Sequence, residues 1–454
     1  MSALELHDIQ GIVLFAYATL RHARYLCITF DEGARPNHWL AEVRHEVHGA
    51  RRDTHHRDER VQLAFTNEGL VRLGLDAEEM MSFPRELQQG MGNPVRAHVL
   101  EDDPATWEFG APHQTPVHAL LMIFAKTPEG MEAARQRLVT RVESQGGSVV
   151  HEDVTETHQP LHEPFGFRDG IAQPHVQGSP RARKSHEVEV PAGEFILGYP
   201  NAYQELPPSP QGTGGFDIGR NGSYLVYRKL RQDTAGFWQC MLDRAEPPGD
   251  PRAATKLAAS IVGRWPSGAP LVKYPDRDPG LSGAEDDFAF FEEDPEGKRC
   301  PLGAHIRRAN PRDMLMPTPH ESTVAVGRHR LLRRGRAYGP RAPLTPLAAA
   351  QPQTAERGLV FLALNTSFRR QFEFVQQTWV NNPKFGGLYD ERDPLIGHVP
   401  KEGQHFSIPA DPARRRLSNL ATFVSMRGGG YFFVPGLAAL EWLSRRSRSR
   451  PAER

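Results

Sequence analysis

The sequence predicts an α+β fold, and three observations lead to this prediction. In residues 1–150, short strand-like runs alternate with helical ones, and the same mixture returns after residue 223. The strands are not spaced in the long, uniform strand–helix–strand repeat of a doubly wound parallel sheet. The chain has 454 residues, which is enough for two large domains at about 100–200 residues per domain.

Three strands and three helices are predicted in the first half of the chain. Strands are predicted where β-branched, aromatic and aliphatic residues run together between turn residues. Helices are predicted where apolar residues recur at the helical period, and the last of them stops at Gly146 and Gly147. The strands are 25–30, 62–66 and 117–125, and the helices are 36–46, 67–73 and 128–145.

The second half has more loop before regular structure returns. Residues 150–250 are rich in Pro and Gly, which predicts mostly loop there. Asp250 and Pro251 then open a helix as its N-cap and first-turn proline. After a strand at 358–364, a second helix carries an apolar stripe of Phe368, Phe372, Val375 and Trp379. Further strands are predicted at 224–228 and 431–434, before a basic tail that we expect to be solvated.

The composition excludes some classes of partner. Lys and Arg together number 55, as do Asp and Glu, so the formal net charge is zero. Electrostatic attachment of the whole protein to nucleic acid or to an anionic membrane needs a basic excess, and we expect neither partner. No apolar run approaches the roughly 18 residues needed to cross a bilayer. The three cysteines are far apart and no export signal is evident, so we expect a cytoplasmic protein.

The most informative stretch is 163–174, in which Asp169 lies between Gly166 and Gly170. Glycine permits positive φ and close approach of the backbone to a flat ligand, and the neighbouring phenylalanines would keep the surroundings dry. A carboxylate there could act as a general acid or base. Taken without context, such an aspartate more often caps a turn.

The stretch 300–312 places His305 directly after small residues and ahead of three arginines. A neutral imidazole is a common metal ligand, and an arginine cluster can bind carboxylates or phosphates in a bidentate manner. The alternative is a core histidine that is satisfied by a backbone carbonyl. The residues alone leave both interpretations open.

Basic and apolar residues are mixed in the stretch 329–340. In a strand, this pattern would aim Arg333 inward and leave Arg334 on the opposite face. Interleaved aromatic residues are few, so nucleic-acid binding is only weakly indicated. A solvated face is the usual meaning of such a run.

Three consecutive glycines, Gly428 to Gly430, precede an aromatic strand. They could let backbone segments pack closely, or they could form a cradle for phosphate. No Lys-Ser or Lys-Thr follows them, which excludes a P-loop.

Together, these stretches resemble the dye-decolourising peroxidase family of haem enzymes. The matches follow the family's order from residue 8 to residue 436 and begin with Asp-Ile-Gln-Gly-Ile-Val at 8–13. The other matching stretches are the GxxDG motif at 166–170, Ala-His-Ile-Arg-Arg-Ala-Asn-Pro-Arg at 304–312, Arg-Arg-Gly and Tyr-Gly within 333–339, and the glycine-rich signature at 428–436.

The resemblance implies two ferredoxin-like domains, each an antiparallel sheet flanked by helices, in a fold of the dimeric α+β barrel type. On this basis the N-terminal domain is 1–160, and a connecting segment with the GxxDG loop is 161–222. The C-terminal, haem-binding domain is then 223–440, and a basic tail at 441–454 ends the chain.

The resemblance also implies a site for haem b. His305 resembles the family's iron ligand and is therefore the expected metal ligand. Arg312 resembles a position that binds a haem propionate, and Leu359 and Phe361 resemble the apolar lining of the distal pocket. The second ring nitrogen of His305 needs an acceptor, for which Glu373 is a weak candidate.

The activity implied by the resemblance is that of a haem peroxidase. It would reduce hydrogen peroxide through a ferryl-oxo intermediate and oxidise one-electron donors such as dyes and phenolic compounds. Asp169 would carry the proton, and Arg333 would stabilise the developing negative charge. The alternative is a non-catalytic haem-binding or iron-release protein on the same fold, which would need neither residue. Hydrogen peroxide and small-molecule donors are the expected partners, and a homo-oligomer is possible.

Overall fold

The structure is a computed structural model that describes residues 3–51, 58–157, 161–184, 187–280, 285–400 and 403–446. Helices and mainly antiparallel strands make up the fold, which confirms the predicted α+β class. The end of the predicted basic tail, residues 447–454, lies outside the described residues. Within the described residues, no helix is both long and apolar enough to cross a bilayer.

The described strands and helices run through both halves of the chain. The strands are β1 (His22–Phe30), β2 (Glu59–Phe65), β3 (Ala119–Ala125), β4 (Gly147–Glu156), β5 (His175–Val176), β6 (Glu189–Val190), β7 (Ser223–Gln232), β8 (Leu332–Arg333), β9 (Arg336–Tyr338), β10 (Gly358–Asn365), β11 (Gln404–Ile408), β12 (Arg415–Leu420) and β13 (Val424–Val434). The α-helices are α1 (Gly11–Leu14), α2 (Pro36–Val43), α3 (Asn67–Arg72), α4 (Ala77–Met81), α5 (Arg85–Gln89), α6 (Pro94–Leu100), α7 (Pro128–Ser144), α8 (Thr234–Asp243), α9 (Pro251–Val262), α10 (His305–Ala309), α11 (Pro319–Gly327), α12 (Pro346–Ala349) and α13 (Leu437–Ser444).

The first sheet is antiparallel and has the strand order β2-β3-β1-β4. Helices α2 and α7 pack their apolar residues on one face of it, where Trp39 and Leu138 join the same core as Leu26 and Leu121. The start of α7 follows from local chemistry, because the Thr127 side chain accepts the amide hydrogen of Gly130 as an N-cap.

The second sheet repeats this arrangement with strands from the C-terminal half. Strand β7 pairs with β13 on one side and with β10 on the other, and β8 and β9 pair with the far edge of β10. The order in the first sheet is β4, β1, β3, β2, and the order in the second is β13, β7, β10 and then the short strands β8 and β9. In both sheets the first strand of the half therefore lies between the last and the third. This order is that of a ferredoxin-like sheet, the type of domain that the resemblance implied.

The two sheets close into a barrel through two narrow seams. Thr155 of β4 pairs with Tyr338 of β9, and Phe433 of β13 pairs with Phe65 of β2. The barrel interior is a core built from both sheets, to which Tyr25 and Leu362 contribute from β1 and β10. The predicted fold of the dimeric α+β barrel type is confirmed, whereas the residue ranges of the two domains stay a prediction.

The triple glycine belongs to this packing. A Cβ atom on Gly429 would lie 2.2 Å from the carbonyl oxygen of Tyr227, and one on Gly428 would lie 2.5 Å from the Phe109 ring. Of the two interpretations left open, close approach of the backbone is the one that the structure shows.

Three details differ from the sequence prediction. Residues 150–250 are mostly loop, as predicted, but they also contain helix α8 (Thr234–Asp243), capped by Asp233. The predicted helix after β10 is wound as two π-helical segments, Arg369–Glu373 and Val375–Val380. The run of arginines near Arg333 is not a solvated face, because Arg334 and Arg336 are buried.

Candidate functional site

A cavity of about 570 Å³ lies between the second sheet and the segments packed on it. Strands β7 and β10 form one wall, and the loop 161–173, helix α10 and the π-helical segment Val375–Val380 form others. The structure brings all six predicted site residues to this cavity: Asp169, His305, Arg312, Arg333, Leu359 and Phe361.

His305 is the first residue of α10 and is held by a carboxylate. Its Nδ1 lies 2.8 Å from Oδ2 of Asp393, whose side chain is completely buried. The other carboxylate oxygen of Asp393 accepts the amide hydrogens of Leu395 and Ile396. This pairing puts the Nδ1 proton between the two residues and leaves Nε2 as a lone-pair donor. Among the described residues, Nε2 has no hydrogen-bond partner.

Charge pairing dominates the electrostatics of this pair. Burial acts to lower the pKa of His305, but the facing Asp393 carboxylate outweighs it, so that the pKa is raised. Burial acts to raise the pKa of Asp393. His305 and the two amide hydrogens outweigh burial there, so that the pKa of Asp393 is lowered. No local sequence pattern points to Asp393, because 88 residues separate it from His305.

Glu373 was the wrong candidate for this role. Its carboxylate accepts a hydrogen bond from the Tyr431 hydroxyl at 2.8 Å and pairs with Arg96 at 2.9 Å. These contacts join Glu373 to strand β13 and helix α6, and Glu373 does not line the cavity.

Two of the three arginines after His305 fix α10 instead of facing the cavity. Arg307 is fully buried and pairs with Asp294, and the equally buried Arg308 donates to the carbonyl oxygens of Trp379 and Asn382. Buried guanidinium groups need such acceptors. They therefore hold the helix that carries His305.

Asp169 and Arg333 face each other at the cavity. Nη1 of Arg333 lies 3.9 Å from Oδ1 of Asp169, and Nη2 of Arg333 donates to the carbonyl oxygen of Ile171 at 2.8 Å. The two side chains are 36% and 40% exposed, so both reach into open space at the cavity. Gly166 and Gly170 have φ of 95° and 80°, which explains the glycines of the motif.

Arg312 lines the cavity, but its guanidinium already has several partners. It pairs with the carboxylate of Asp286, donates to the carbonyl oxygens of Asp286 and Phe288, and stacks over the Phe288 ring. Arg330 lies in the run that was predicted to be a solvated face, and its guanidinium has fewer partners than that of Arg312. It donates to Asn310 and to the Ala172 carbonyl oxygen, and no described carboxylate forms an ion pair with it. Burial lowers its pKa to about 10.

Leu359 and Phe361 lie two residues apart on β10 and both line the cavity. Their neighbour Val360 belongs to the barrel core on the other face of the strand. The apolar wall is therefore a direct result of the alternation of side chains along β10.

The charged groups of the cavity wall are mostly cationic. The wall includes eight arginines and three carboxylates. The arginines are Arg168, Arg264, Arg312, Arg330, Arg333, Arg334, Arg336 and Arg341, and the carboxylates are Glu156, Glu163 and Asp169. These walls match a largely apolar molecule that carries anionic substituents and can be coordinated by one imidazole.

Comparison with known proteins gives one consistent family. No family model matches the sequence. A dye-decolorizing peroxidase of Auricularia auricula-judae is 27% identical over 471 aligned positions, which cover 97% of this chain and 87% of the relative. A crystal structure of a mutant decolorizing peroxidase from the same organism has a TM-score of 0.82 at 26% identity and covers 98% of this chain and 100% of that one. A deferrochelatase of Yersinia pseudotuberculosis is 27% identical but covers only 58% of this chain and 46% of the relative.

Proposed function

Because the chain belongs to the dye-decolorising peroxidase family, we propose that it binds haem b in this cavity and there reduces hydrogen peroxide at the expense of small-molecule one-electron donors. One observation carries the proposal. A carboxylate-paired histidine and a carboxylate–arginine pair, far apart in the chain, line one apolar cavity.

The residues present fit haem. The Asp393-paired His305 offers Nε2 as a ligand for iron. Arg330 and Arg312 would hold the anionic propionates, with Arg330 the more available of the two. Leu359 and Phe361 would contact the apolar ring system. When bound, haem supplies the redox chemistry, which is the reduction of peroxide and the oxidation of donors one electron at a time.

Asp169 is proposed to move the proton. Its carboxylate would accept a proton from one peroxide oxygen and deliver it to the other, so that water can leave. The Gly170 amide hydrogen bonds to Oδ1 at 2.6 Å and fixes the orientation of the carboxylate. Oδ2 has no partner among the described residues and is the oxygen free to exchange the proton.

Arg333 is proposed to supply a fixed positive charge. Its guanidinium is held by the Ile171 carbonyl oxygen, so that little reorganisation is needed when negative charge develops on peroxide. The distance of 3.9 Å from Asp169 keeps both groups next to the same small volume without a tight ion pair that would block them.

The alternative function is a non-catalytic haem-binding or iron-release protein, to which the more distant deferrochelatase likeness lends some support. The accessible Asp169 and Arg333 favour the peroxidase, because a carrier has no need of an acid–base group beside a fixed cation. The cytoplasmic location and a homo-oligomer stay predictions.

Absorption spectra before and after the addition of peroxide test the proposal. The protein loaded with haem should show a Soret band that His305→Ala loses, whereas His329→Ala, a change at another histidine of the cavity wall, should keep it. Peroxide should then change the spectrum rapidly, and a donor should restore it. A haem-loaded protein whose spectrum does not respond to peroxide would be a carrier instead.

A further inference from the structure

Glu163 begins the loop that carries Asp169, and its carboxylate lies at the centre of that loop. Oε1 accepts the amide hydrogen of Phe167 at 2.8 Å, and Oε2 accepts that of Phe165 at 3.0 Å. Oε2 also accepts a hydrogen bond from Nε2 of Gln232, on β7, at 2.7 Å. All the hydrogen bonds to this side chain are therefore donated to it, which is the pattern that an ionised carboxylate requires.

The backbone of the same loop turns back on Glu163. Its amide donates to the Phe167 carbonyl oxygen at 2.9 Å, and its carbonyl oxygen accepts from the Gly166 amide at 2.8 Å. Residues 163–167 thus form a closed turn with a carboxylate inside it. Asp169 follows only two residues later, so the position of its side chain depends on how this turn is held.

Apolar packing fixes the other side of the turn. The Phe165 ring lies 4.5 Å from the Phe237 ring, and the Phe167 ring stacks on Trp238 at 6.2 Å. The two rings are buried, and their amides point to Glu163. Without the carboxylate, both buried amides would lose their acceptor, which destabilises the turn.

The charge of Glu163 is costly to maintain. Burial raises its pKa to about 7, although the amide hydrogens of Phe165 and Phe167 and the side chain of Gln232 act to lower it. Asp169 adds a second negative charge on the same loop and raises the pKa further. Three donated hydrogen bonds therefore hold the carboxylate in the turn against the cost of burying its charge.

We propose that Glu163 is a positioning residue for Asp169, which locks the turn 163–167 and so fixes the Asp169 carboxylate beside Arg333. This inference rests on the proposed role of Asp169 in peroxide reduction. The locking itself is a property of the chain and can be measured without any activity.

Hydrogen exchange of the haem-loaded protein measures the lock directly. In Glu163→Gln one side-chain oxygen becomes an NH2 group, which cannot accept from an amide, so exchange at Phe165 or Phe167 should speed up by at least about tenfold. Glu156→Gln is the matched control, because Glu156 lines the same cavity but has no described contact with the turn. Unchanged exchange at both amides in Glu163→Gln would overturn the proposal. Should that variant fail to fold, Glu163→Asp, which keeps the charge but cannot span both amides, replaces it with the same expectation.

A double-mutant cycle separates positioning from general damage. Glu163→Gln should lower kcat/KM for peroxide by about tenfold in the natural chain, but by less than about twofold in a chain that already carries Asp169→Asn. The same loss in both backgrounds would show that Glu163 does not act through Asp169. If the natural chain proves to be a carrier, the exchange experiment still decides whether the turn is locked, so the two proposals fail separately.

Discussion

At the residue scale, His305 and Asp393 behave as one unit, because the carboxylate selects which imidazole nitrogen is left for a ligand. Asp393→Asn should therefore keep the fold but lower haem affinity about 10–100-fold, since the amide can present its NH2 group to Nδ1 and favour the wrong tautomer. Titration of the apoprotein with haem measures this affinity. Asp390→Asn is the control, because Asp390 lies three residues away and, within the described part of the chain, forms its ion pair with the exposed Arg416. Equal affinities in the two variants would remove Asp393 from the site.

Arg333 is the second residue whose role can be isolated. Arg333→Leu should slow the reaction with peroxide about 10²–10³-fold, because the fixed charge is lost from the place where negative charge develops. Haem binding should hardly change, as the residue is expected to act on peroxide alone. Arg341→Leu removes another guanidinium from the cavity wall, one that is exposed and has no partner among the described residues. In stopped-flow mixing, Arg341→Leu should react with peroxide at nearly the rate of the natural protein. A similar loss of rate in Arg333→Leu and Arg341→Leu would indicate a general effect of cavity charge.

Short motifs predict some residues of the site, whereas residues that only the chain topology brings to it carry no such signal. Asp169, His305 and Arg333 each lie within a recognisable stretch, and the structure gathers all three at one cavity. Asp393 contacts His305 only because the chain returns to α10 after the π-helical segments. Glu163 begins the stretch 163–174, but its proposed role depends on hydrogen bonds that no residue pattern reports.

At the scale of elements, strands β8 and β9 connect the cavity to the start of the chain. Arg333 turns to the cavity, while Arg334 donates to the carbonyl oxygens of Ile12 and Val13 at the end of α1. Arg336 donates to the carbonyl oxygens of four residues, Ala16, Tyr17, Leu20 and Arg21. The predicted alternation of Arg333 and Arg334 is thus present, but the second face binds protein instead of solvent.

This anchoring predicts a local effect of one substitution. Arg336→Met should remove the guanidinium from four carbonyl oxygens, of which those of Tyr17 and Arg21 keep a backbone amide donor. The substitution should loosen residues 16–21, with little change in the barrel core. Limited proteolysis with thermolysin should cut the variant within residues 15–21 at least several times faster than the natural chain. Arg341→Met serves as the control. If the cutting rate at residues 15–21 is the same in both variants, the segment is held by other contacts.

The helix after β10 shows what periodicity can and cannot predict. The stripe of Phe368, Phe372, Val375 and Trp379 was predicted from the α-helical period, and all four residues are buried. They divide between two apolar clusters: Phe368 and Phe372 join the core beneath the sheet, and Val375 and Trp379 form part of a smaller cluster. All but Phe368 also line the cavity. Gln371 contributes to the π-helical winding, because its side chain accepts the amide hydrogens of Thr366 and Ser367. Such local hydrogen bonds are not visible in a pattern of apolar residues.

At the scale of the whole molecule, the net charge of zero is the sum of charges on the surface and charges that are buried or line the cavity. Several arginines are buried with carbonyl oxygens or line the cavity, so they contribute nothing to the surface field in which a partner would be steered. The α+β class followed from the strand and helix patterns alone. The strand order and the closed barrel followed only from the resemblance, because pairing between distant strands leaves no mark in local sequence.

The barrel is closed by few backbone pairs, so side chains in its interior must join the halves. Asp153 of β4 is 3% exposed and lies 3.1 Å from Nζ of Lys229, on β7, and it also accepts a hydrogen bond from the Tyr227 hydroxyl. Burial alone would raise the pKa of Asp153, but His151, Tyr227 and Lys229 outweigh it and lower the pKa below its usual range. The charged form is therefore the one that the fold stabilises.

A depressed pKa in the folded state gives stability that is present above the unfolded pKa of about 3.9 and is lost as the pH falls through the folded value. Asp153→Asn should accordingly lower the free energy of unfolding by about 3 kcal/mol at pH 7, as expected for a broken buried pair, and by progressively less as the pH falls below about 3.9. Urea denaturation at pH 7, 5, 4 and 3 measures the difference. Asp58→Asn, which breaks the exposed pair with Lys126, should cost less than about 1 kcal/mol at every pH. Because Asp153 joins strands of both sheets, its loss should lower the stability of the whole barrel, which should unfold in one cooperative transition. Two separate transitions in the natural chain would show that the halves unfold independently and that the interior side chains do not join them.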